Sequence, residues 1–556
     1  MRVLVFGGGI GGLSAAHELI RRGFEVDVYE RRQAWGGKAR SVFEPDGGRG
    51  GRDDLPGEHG HRVFSGFYRH LDDTLKSIPS ADGIGSVYEH FVGTTESRAC
   101  RLGGSPPIRF PARWDGRDWL QKLRSTVSFS ADSGIPLSEI VEFFWHLLRL
   151  RCSSPERCHD VFENMSWTAL IRARGKSDAY RAFFVRGWSQ IVAAAEGDVA
   201  SARTFGEIFA QLTLFAEPGR CTVRVLNGPT STVWIDPWVS HLRHLGVRFH
   251  SGHALVGLKI HGQRILEAEL ASGEGETLTV RGDHYVCALP VEAMQRIVTS
   301  ALAAAAPSLA HLDRLTTRFM GGVQFFLDRD VPMTHGHFHH ADSAWALASI
   351  SQAQFWPQID LRRYGNGDVR GVISVSIGDW LTPGNKTTSK RALDCAEGEL
   401  CEEIWCQLLE HLPAKLREEL STVRRIDYCI DPALRDVSMR AENMEPLMIN
   451  SVGSWRYRPE AWTEISNLFL AADYVRTNTD LATMEAANEA ARRAVNAILR
   501  SCGSGAAPCA VWELWVPRVI RLLQQIDRRL YGGSSGGTLP VGARPRRKVS
   551  FSPFRR

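Results

Sequence analysis

The chain has 556 residues, of which 43% are hydrophobic and 23% are charged, a composition typical of a globular protein that buries large cores. This length predicts two to four structural units. The net charge of +5 comes from the C-terminal end, because residues 532–556 hold six cations and no acid. The body of the chain is therefore close to neutral, which argues against a nucleic-acid-binding protein.

The N-terminus reads as a strand, a glycine-rich turn, a helix and a second strand that ends in an acid. In chain order these are Val3–Phe6, Gly7–Gly12, Ala15–Ile20, Glu25–Tyr29 and Glu30. In such a unit Gly7 permits the tight turn, Gly9 lets a pyrophosphate approach the backbone, and Gly12 lets the helix pack on the strand. Glu30 is placed to accept a hydrogen bond from the adenosine ribose. The pattern predicts a dinucleotide-binding site at a helix N-terminus.

The residues that follow Glu30 indicate which dinucleotide binds. Gly36 and Gly37 are followed by Lys38, Arg40 and Ser41. This segment resembles the extended FAD fingerprint of the amine oxidase and phytoene desaturase superfamily, acid…Gly-Gly-Arg-x-x-Ser/Thr, with Lys38 in the usual arginine position. The resemblance implies that FAD is the cofactor. A glycine-rich surface turn is the other interpretation.

Residues 57–68 resemble the phytoene desaturase segment E-x-G-x-H-x-F-x-G-x-Y, which lies along the isoalloxazine ring of FAD. Glu58 and Gly60 match this pattern, whereas Arg62 holds the family's histidine position and His61 lies beside it. The resemblance makes Glu58, His59, His61 and Arg62 candidates for a catalytic role near the ring. The alternative is that the histidines are ordinary polar loop residues.

Three further segments resemble parts of the same flavin site. Residues 247–258 resemble the strand whose backbone meets the adenine, and residues 285–290 resemble its A-x-P strand end. Residues 467–473 form an apolar strand that ends in Asp473, and a helix from Ala482 to Ala494 follows, with Ala472 and Ala486 where the family commonly has glycine. The cofactor-binding residues implied by the whole resemblance are Gly7, Gly9, Gly11, Gly12, Glu30, Arg31, Gly36, Gly37, Lys38, Arg40, Gly60, Leu255, Ala288, Asp473 and Met484.

These motifs are distant in the chain and must converge on one cofactor, so the resemblance implies an interleaved α/β architecture. We expect a Rossmann-type FAD-binding domain, a parallel sheet with helices on both faces, from residues 1–98, 221–300 and 441–500. Residues 99–220 and 301–440 would form an α+β substrate domain, followed by a C-terminal helix at 501–531 and a disordered basic tail at 532–556. The aromatic residues of this insert predict either an apolar cavity facing the flavin or ordinary core; they are Trp345, Phe355, Trp356 and Trp380.

The cysteines and histidines do not form a recognisable metal or disulfide framework. The eleven cysteines are irregularly spaced, and no leader precedes the first strand, so a reduced, cytoplasmic chain is expected. Residues 335–340 carry four histidines without a nearby cysteine or glutamate to complete a ligand set. We expect no metal there and consider a polar strand near the substrate cavity.

No run of about 18 apolar residues predicts a membrane-spanning helix. Two segments suit the membrane surface, Ile140–Arg151 and the Trp-rich stretch Val511–Leu523 beside the basic tail. Peripheral membrane contact is one expectation, and packing of both segments on the body is the other.

The resemblance implies an FAD-dependent oxidoreductase that desaturates an apolar, isoprenoid- or carotenoid-like substrate by hydride transfer to flavin N5, with oxygen or a quinone as the electron acceptor. An amine or amino-acid oxidase that releases hydrogen peroxide shares every motif. An FAD-dependent isomerase or dehydroxylase of isoprenoids uses the same scaffold, and a flavoprotein without catalysis is a further alternative.

Overall fold

The structure is a computed structural model, and it describes residues 1–43, 47–58, 60, 62–104, 107–111, 129–191, 194–213, 216–273, 275–430, 434, 440 and 445–534. The longer helices are α1 Ile10–Ile20, α2 His70–Lys76, α3 Leu137–Cys152, α4 Ala202–Leu212, α5 Asp236–His244, α6 Val291–Ile297, α7 Glu397–His411, α8 Ala414–Ser421, α9 Met484–Ser501 and α10 Arg518–Ser534. Short α-helical turns and π-helical segments lie at Pro155–Arg157, Cys158–Phe162, Trp167–Leu170, Asp178–Tyr180, Arg181–Gln190, Ser231–Ile235, Ser300–Ala305 and Pro307–Ala310.

A five-stranded parallel sheet forms the centre of the nucleotide-binding part. Its strands, in spatial order, are Arg248–Ser251, Glu25–Glu30, Arg2–Phe6, His284–Cys287 and Leu468–Leu470. All four pairings are parallel, and the strands come from three distant parts of the chain. The predicted Rossmann-type sheet is therefore confirmed, and the register carries the N-terminal and C-terminal motifs to the same edge.

Helices α1 and α9 pack on one another and on this sheet. A buried side-chain contact joins them, since Asn488 Nδ2 donates to Ser14 Oγ over 2.9 Å. An antiparallel sheet of strands His253–His261, Arg264–Ser272 and Thr277–Val280 contributes Leu258, Leu270 and Val280 to the same hydrophobic core. The nucleotide-binding part is thus organised around one core.

A seven-stranded mixed sheet forms the second large element. Its spatial order is Arg425–Ile430, Gly321–Leu327, Gly371–Ile377, Leu347–Ser351, Phe338–His340, Glu96–Cys100 and Ile108–Pro111. The smaller sheets comprise Ser41–Phe43 with Pro56–Glu58, Phe64–Ser65 and Phe91–Gly93 on either side of Val223–Leu226, and Thr317–Arg318 with Leu447–Met448. Residues 112–128 lie outside the described residues, and the domain boundaries stay a prediction.

The C-terminal region differs from the sequence expectation. The helix expected at 501–531 is not continuous: α9 ends at Ser501, and α10 begins only at Arg518 and extends to Ser534. The amphipathic segment expected at Val511–Leu523 is consequently helical only in its second half. Pro517 explains the late start, because proline is tolerated in the first turn of a helix and not in its interior. The rest of the expected tail lies outside the described residues.

Two histidines lie in the core with their side chains fully buried. His17 in α1 accepts a hydrogen bond at Nδ1 from Trp238 Nε1 over 3.2 Å, and burial lowers its pKa to about 3, assisted by the nearby Arg21. His340 lies 2.9 Å from Ser349 Oγ through Nε2, and burial holds its pKa well below the ordinary value. Other titratable groups act on one or the other; they are His241, Arg492, Asp73, His339 and His411. Both buried rings are neutral in the folded protein at neutral pH.

We expect acid to destabilise the fold between about pH 6.5 and pH 4.5. Below about pH 6.5, the ordinary histidine pKa, these two histidines bind protons in the unfolded chain but not in the folded chain, so the free energy of unfolding falls as pH falls. His17 alone contributes about 2 kcal/mol of this loss at pH 5. The thermal midpoint measured across this range checks it. His244→Gln, at an exposed position, should not change the slope, whereas His17→Gln should reduce it. A midpoint that is constant from pH 7 to pH 5 would contradict the prediction.

Candidate functional site

The glycine-rich turn seats α1 against the carboxyl ends of three parallel strands. Gly7 has φ +105°, and a Cβ there would lie 2.6 Å from the carbonyl oxygen of Ala288. A Cβ on Gly11 would lie 1.8 Å from the carbonyl oxygen of Ala471, and one on Gly12 would lie 1.8 Å from that of Gly7. Three glycines are therefore required for packing alone, and α1 begins directly above the strand ends.

Gly9 is different, because its side-chain position is open. Its backbone is extended, and the atom nearest to an added Cβ is Gly37 Cα at 3.6 Å. No side chain caps α1, and its first turn holds no acid. Uncapped N–H groups at a helix N-terminus beside a glycine backbone suit a pyrophosphate. These residues fit the phosphates of FAD.

Glu30 lies at the carboxyl end of the second strand, buried beside the turn. Its Oε2 accepts a hydrogen bond from the Gly8 amide over 2.7 Å, and its Oε1 accepts one from the Arg32 amide over 3.0 Å. The neighbouring strand places Ser251 opposite Glu30, and Leu255 follows four residues later at the start of the antiparallel sheet. This is the position expected for the adenosine end. The bond from Glu30 to ribose stays a prediction.

The second glycine segment contacts the first. The Gly36 amide donates to the Gly8 carbonyl over 2.8 Å, and Gly36 has φ +100°. A Cβ on Gly37 would lie 2.9 Å from Gly9 Cα, so only glycine permits this approach. Two segments that are about 25 residues apart in the chain thus form one glycine-lined surface.

The basic residues around this surface converge on a buried carboxylate that the sequence analysis did not identify. Glu445 pairs with Arg40 Nη1 over 3.0 Å and with Arg32 Nη2. Lys38 instead pairs with Glu292 over 3.1 Å and donates to the Pro446 carbonyl oxygen. Glu445 anchors the cations from a segment about 400 residues away, which no local pattern reveals.

Arg31 is exposed, in contrast to Arg32 and Arg40. The cofactor-binding roles expected of Arg31, Lys38 and Arg40 stay predictions.

Of the two candidate catalytic residues that the structure describes, Glu58 is more deeply buried than Arg62. Its Oε1 accepts hydrogen bonds from Ser41 Oγ over 2.9 Å and from the Thr230 amide over 2.8 Å. Its own amide donates to Gln324 Oε1 over 2.7 Å. Burial raises the pKa of the Glu58 carboxyl, and the Arg62 guanidinium opposes that rise. Among the described residues Oε2 accepts no hydrogen bond, and it forms an ion pair with Arg62 Nη2 over 3.4 Å.

Arg62 joins this carboxylate to the glycine surface. Its Nη2 donates to the carbonyl oxygens of Lys38 and Arg40, each over 3.1 Å. Gly60 has φ +116°, and a Cβ there would lie 3.2 Å from Ser376 Oγ on the seven-stranded sheet. The segment therefore runs between the nucleotide-binding part and the second sheet. His59 and His61 lie outside the described residues, and their catalytic role stays a prediction.

A small cavity with a volume of about 20 Å³ lies beside Glu58 and Arg62. Its other lining residues are mostly apolar, namely Val225, Leu226, Gly228, Thr230, Ile350, Gln352, Phe355 and Trp356. The side-chain amide of Gln324 donates from Nε2 to Gln352 Oε1 over 2.8 Å and to Ser374 Oγ over 2.7 Å. These hydrogen bonds hold Gln352 in place in the cavity wall.

Two of the four aromatic residues considered for a cavity are in its wall, namely Phe355 and Trp356. The other two, Trp345 and Trp380, pack in the core between the seven-stranded sheet and α7.

The C-terminal motif reaches the same region. Asp473 follows the last parallel strand by three residues, next to the Ala471 carbonyl that Gly11 contacts. Among the residues described, its carboxylate accepts no hydrogen bond and is half-buried. Met484 is the first residue of α9, which Thr483 caps by accepting from the Ala486 amide over 3.2 Å. Both residues are near the turn, and their contacts with FAD stay predictions.

The structure does not support a metal site at the histidine-rich segment 335–340. Within the described ranges no group of three His, Cys, Asp or Glu side chains is placed to hold a metal ion. His340 is on the strand Phe338–His340 and pairs with Ser349 in the core.

Sequence reasoning gave no site role to Ser41, Thr230, Gln324, Gln352 or Glu445. Ser41 alone carried a signal, because it is the serine of the FAD fingerprint described above. The other four reach the site through tertiary contacts.

We expect Gly9→Val to abolish FAD binding while the fold is kept. The valine side chain does not clash with the protein, but it occupies the space in front of the uncapped amides at the start of α1. FAD fluorescence after gel filtration measures retention, and the thermal midpoint of the cofactor-free protein measures folding. Gly11→Ala is the matched control: it should lower the midpoint, since its Cβ would overlap the Ala471 carbonyl. Full FAD occupancy in Gly9→Val would show that the phosphates bind elsewhere.

We expect Asp473→Ala to weaken FAD binding about tenfold or more, because removing a charged acceptor typically costs about 1.5–3 kcal/mol. Titration of the cofactor-free protein with FAD, followed by flavin fluorescence, gives the affinity. Asp283→Ala serves as a control with unchanged affinity, because the Asp283 carboxylate accepts from the Arg2 amide over 2.7 Å at the amino-terminal end of the parallel sheet. Equal affinity of both variants would remove Asp473 from the site.

Comparison with known proteins agrees with this geometry. The chain is 23% identical over 539 residues to a probable zeta-carotene desaturase of Synechococcus elongatus, covering 90% of this chain and 99% of the relative. It is likewise 23% identical over 527 residues to a zeta-carotene desaturase of Synechocystis, covering 90% and 97%.

Among solved structures, cyclohexylamine oxidase from Brevibacterium oxydans superposes with a TM-score of 0.58 at 13% identity, over 90% of this chain and 99% of the other. That likeness shows the shared fold. The sequence profile of flavin containing amine oxidoreductases matches residues 10–499, a range that begins within the glycine turn and includes the Glu58 segment, Asp473 and nearly all of α9. This protein is therefore an FAD-dependent oxidoreductase and belongs to the flavin-containing amine oxidoreductase family.

Proposed function

We propose that the protein desaturates an apolar, isoprenoid- or carotenoid-like substrate. The observation that carries this proposal is the cavity beside Glu58, whose wall is mainly apolar and whose ionisable groups are Glu58 and Arg62. The two cyanobacterial relatives named for zeta-carotene support the same substrate class. Peripheral membrane contact would give the enzyme access to such a substrate, and oxygen or a quinone would accept the electrons.

When bound, FAD supplies the hydride acceptor, N5 of its ring system. The chain itself would hold the phosphates at Gly9 and α1, and an apolar substrate would lie against Phe355 and Trp356, whose side chains are buried. Desaturation removes two hydrogens from adjacent carbons, one as a hydride and one as a proton, and leaves a C=C bond. The proton passes to Glu58 Oε2, the oxygen without a hydrogen bond among the described residues. Burial, which raises the pKa of Glu58, favours its protonated form.

Arg62 and Ser41 position this carboxylate. Ser41 and the Thr230 amide hold Oε1, so the second oxygen has a fixed direction. Arg62 Nη2, 3.4 Å from Oε2, limits the rise of the Glu58 pKa and keeps a fraction of the carboxyl ionised as a base.

The test is anaerobic mixing of the FAD-loaded protein with linear polyenes in detergent. We expect the flavin absorbance to bleach and the product to lose two hydrogens in mass for each new double bond. Glu58→Gln keeps the Oε1 contacts and should slow bleaching about a hundredfold or more without loss of FAD. Glu269→Gln, on the antiparallel sheet, removes an equivalent charge away from the site and should have no effect.

Three outcomes would contradict the proposal. Hydrogen peroxide formed from amines, with no reaction of polyenes, would indicate an amine oxidase. An unchanged product mass would indicate an isomerase. Equal bleaching rates for Glu58→Gln and the unmodified protein would exclude Glu58 as the proton acceptor.

A further inference from the structure

Helix α10 lies on the body with its polar side inward. Four of its residues face the body along one edge, namely Ile520, Gln524, Asp527 and Tyr531. Gln524 Nε2 donates to the Arg151 carbonyl over 2.8 Å, and Asp527 accepts from the Ser154 amide over 2.8 Å. Three of the four inward side chains are therefore polar.

The apolar side of α10 faces outward. Its exposed apolar residues are Val519, Leu522, Leu523, Ile526 and Leu530, with exposed fractions from 39% to 66%. Their spacing of i, i+3, i+4, i+7 and i+11 places them on one stripe about 100° wide. A helix held only by packing on the body would bury this stripe. This one leaves it in solvent.

A second exposed apolar row lies on the adjacent helix α3, against which α10 packs. It consists of Leu137, Val141, Trp145 and Leu148, and Trp145 is 62% exposed. The opposite face of α3 is buried in the core through Phe143 and Leu147. Thus two neighbouring helices expose large apolar side chains, including a tryptophan of the kind enriched at membrane–water interfaces.

The charges around the stripe are predominantly positive. Helix α10 contains one acid, Asp527, which pairs with Arg157 over 3.0 Å, and it carries four arginines, all exposed: Arg518, Arg521, Arg528 and Arg529. Arg528 pairs with Glu156 on the body. The sequence after residue 534 adds six cations and no acid. A second copy of the chain would add a like set of cations to such an interface, whereas an anionic lipid surface would neutralise them.

We propose that the outward face of α10, with the exposed row of α3, docks on the surface of an anionic bilayer. The apolar stripe would enter the headgroup region, and the arginines would contact lipid phosphates. Among the described residues no helix is long and apolar enough to cross a membrane, so the contact is interfacial. Helix α10 lies beyond residues 10–499, and the surface is independent of the substrate proposed above.

Co-sedimentation of the FAD-loaded, full-length protein with phosphatidylcholine vesicles, with and without phosphatidylglycerol, tests this surface. We expect binding to the anionic vesicles that weakens with salt. Leu522→Ser/Ile526→Ser should reduce the partition coefficient about tenfold, since both side chains would lose their burial in lipid. Trp145→Ser should also reduce the partition coefficient. Gln525→Ser, at an exposed polar position on α10, should not change it, and thermal midpoints verify that each variant is folded.

Two further measurements separate the alternatives. A chain that ends at residue 534 should bind more weakly but remain sensitive to Leu522→Ser/Ile526→Ser; if only the truncation matters, the basic tail acts alone and the proposal fails. Light scattering after gel filtration detects self-association. A dimer that the double variant dissociates, without vesicle binding, would assign the stripe to a second copy of the chain and overturn the proposal.

Discussion

The architecture depends on the close approach of α1 to the carboxyl ends of three parallel strands. A Cβ at Gly11 or Gly12 would overlap a carbonyl oxygen, and Gly7 adopts a positive φ that most residues avoid. The contacted carbonyls belong to the N-terminal turn itself and to Ala288 and Ala471, which are far apart in the chain. One turn therefore fixes how three segments meet, and it leaves the N-terminus of α1 free of side-chain caps.

Two buried carboxylates, Glu445 and Glu58, also join distant segments of the chain. Glu445 holds Arg32 and Arg40, and Glu58 accepts hydrogen bonds from Ser41 and the Thr230 amide. Each joins segments separated by more than 150 residues at one place. In a low-dielectric interior a carboxylate is stable only with such partners, so these contacts fix how the joined segments lie against one another. The same enclosure raises the pKa of Glu58.

The polar and apolar side chains of α10 are arranged in the opposite way to those around Glu58. Around Glu58 the chain encloses an ionisable group among apolar side chains, whereas on α10 it turns apolar side chains outward and keeps polar contacts with the body. Gln524 donates a hydrogen bond to the Arg151 carbonyl and Asp527 accepts one from the Ser154 amide, and together they hold the helix in a defined orientation. Burial of its apolar face would require the opposite orientation. A soluble protein rarely leaves two adjacent apolar rows exposed without a function for them.

The sequence by itself determined the first two strands and the glycine turn between them, because strand, turn, helix and strand are adjacent in the chain. The FAD cofactor and the rest of the parallel sheet followed from the resemblance of the motifs to a family. The sequence also placed the Glu58 segment and Asp473 by the same resemblance. The tertiary structure alone supplied Glu445, Gln324 and Thr230 as partners, and among four buried aromatic residues it placed Phe355 and Trp356 at the cavity wall and Trp345 and Trp380 away from it. Aromatic residues have the same composition signal in both places. The periodicity of α10 likewise did not determine which of its faces is buried. An amphipathic pattern defines two faces, and only the tertiary packing decides which one contacts the body.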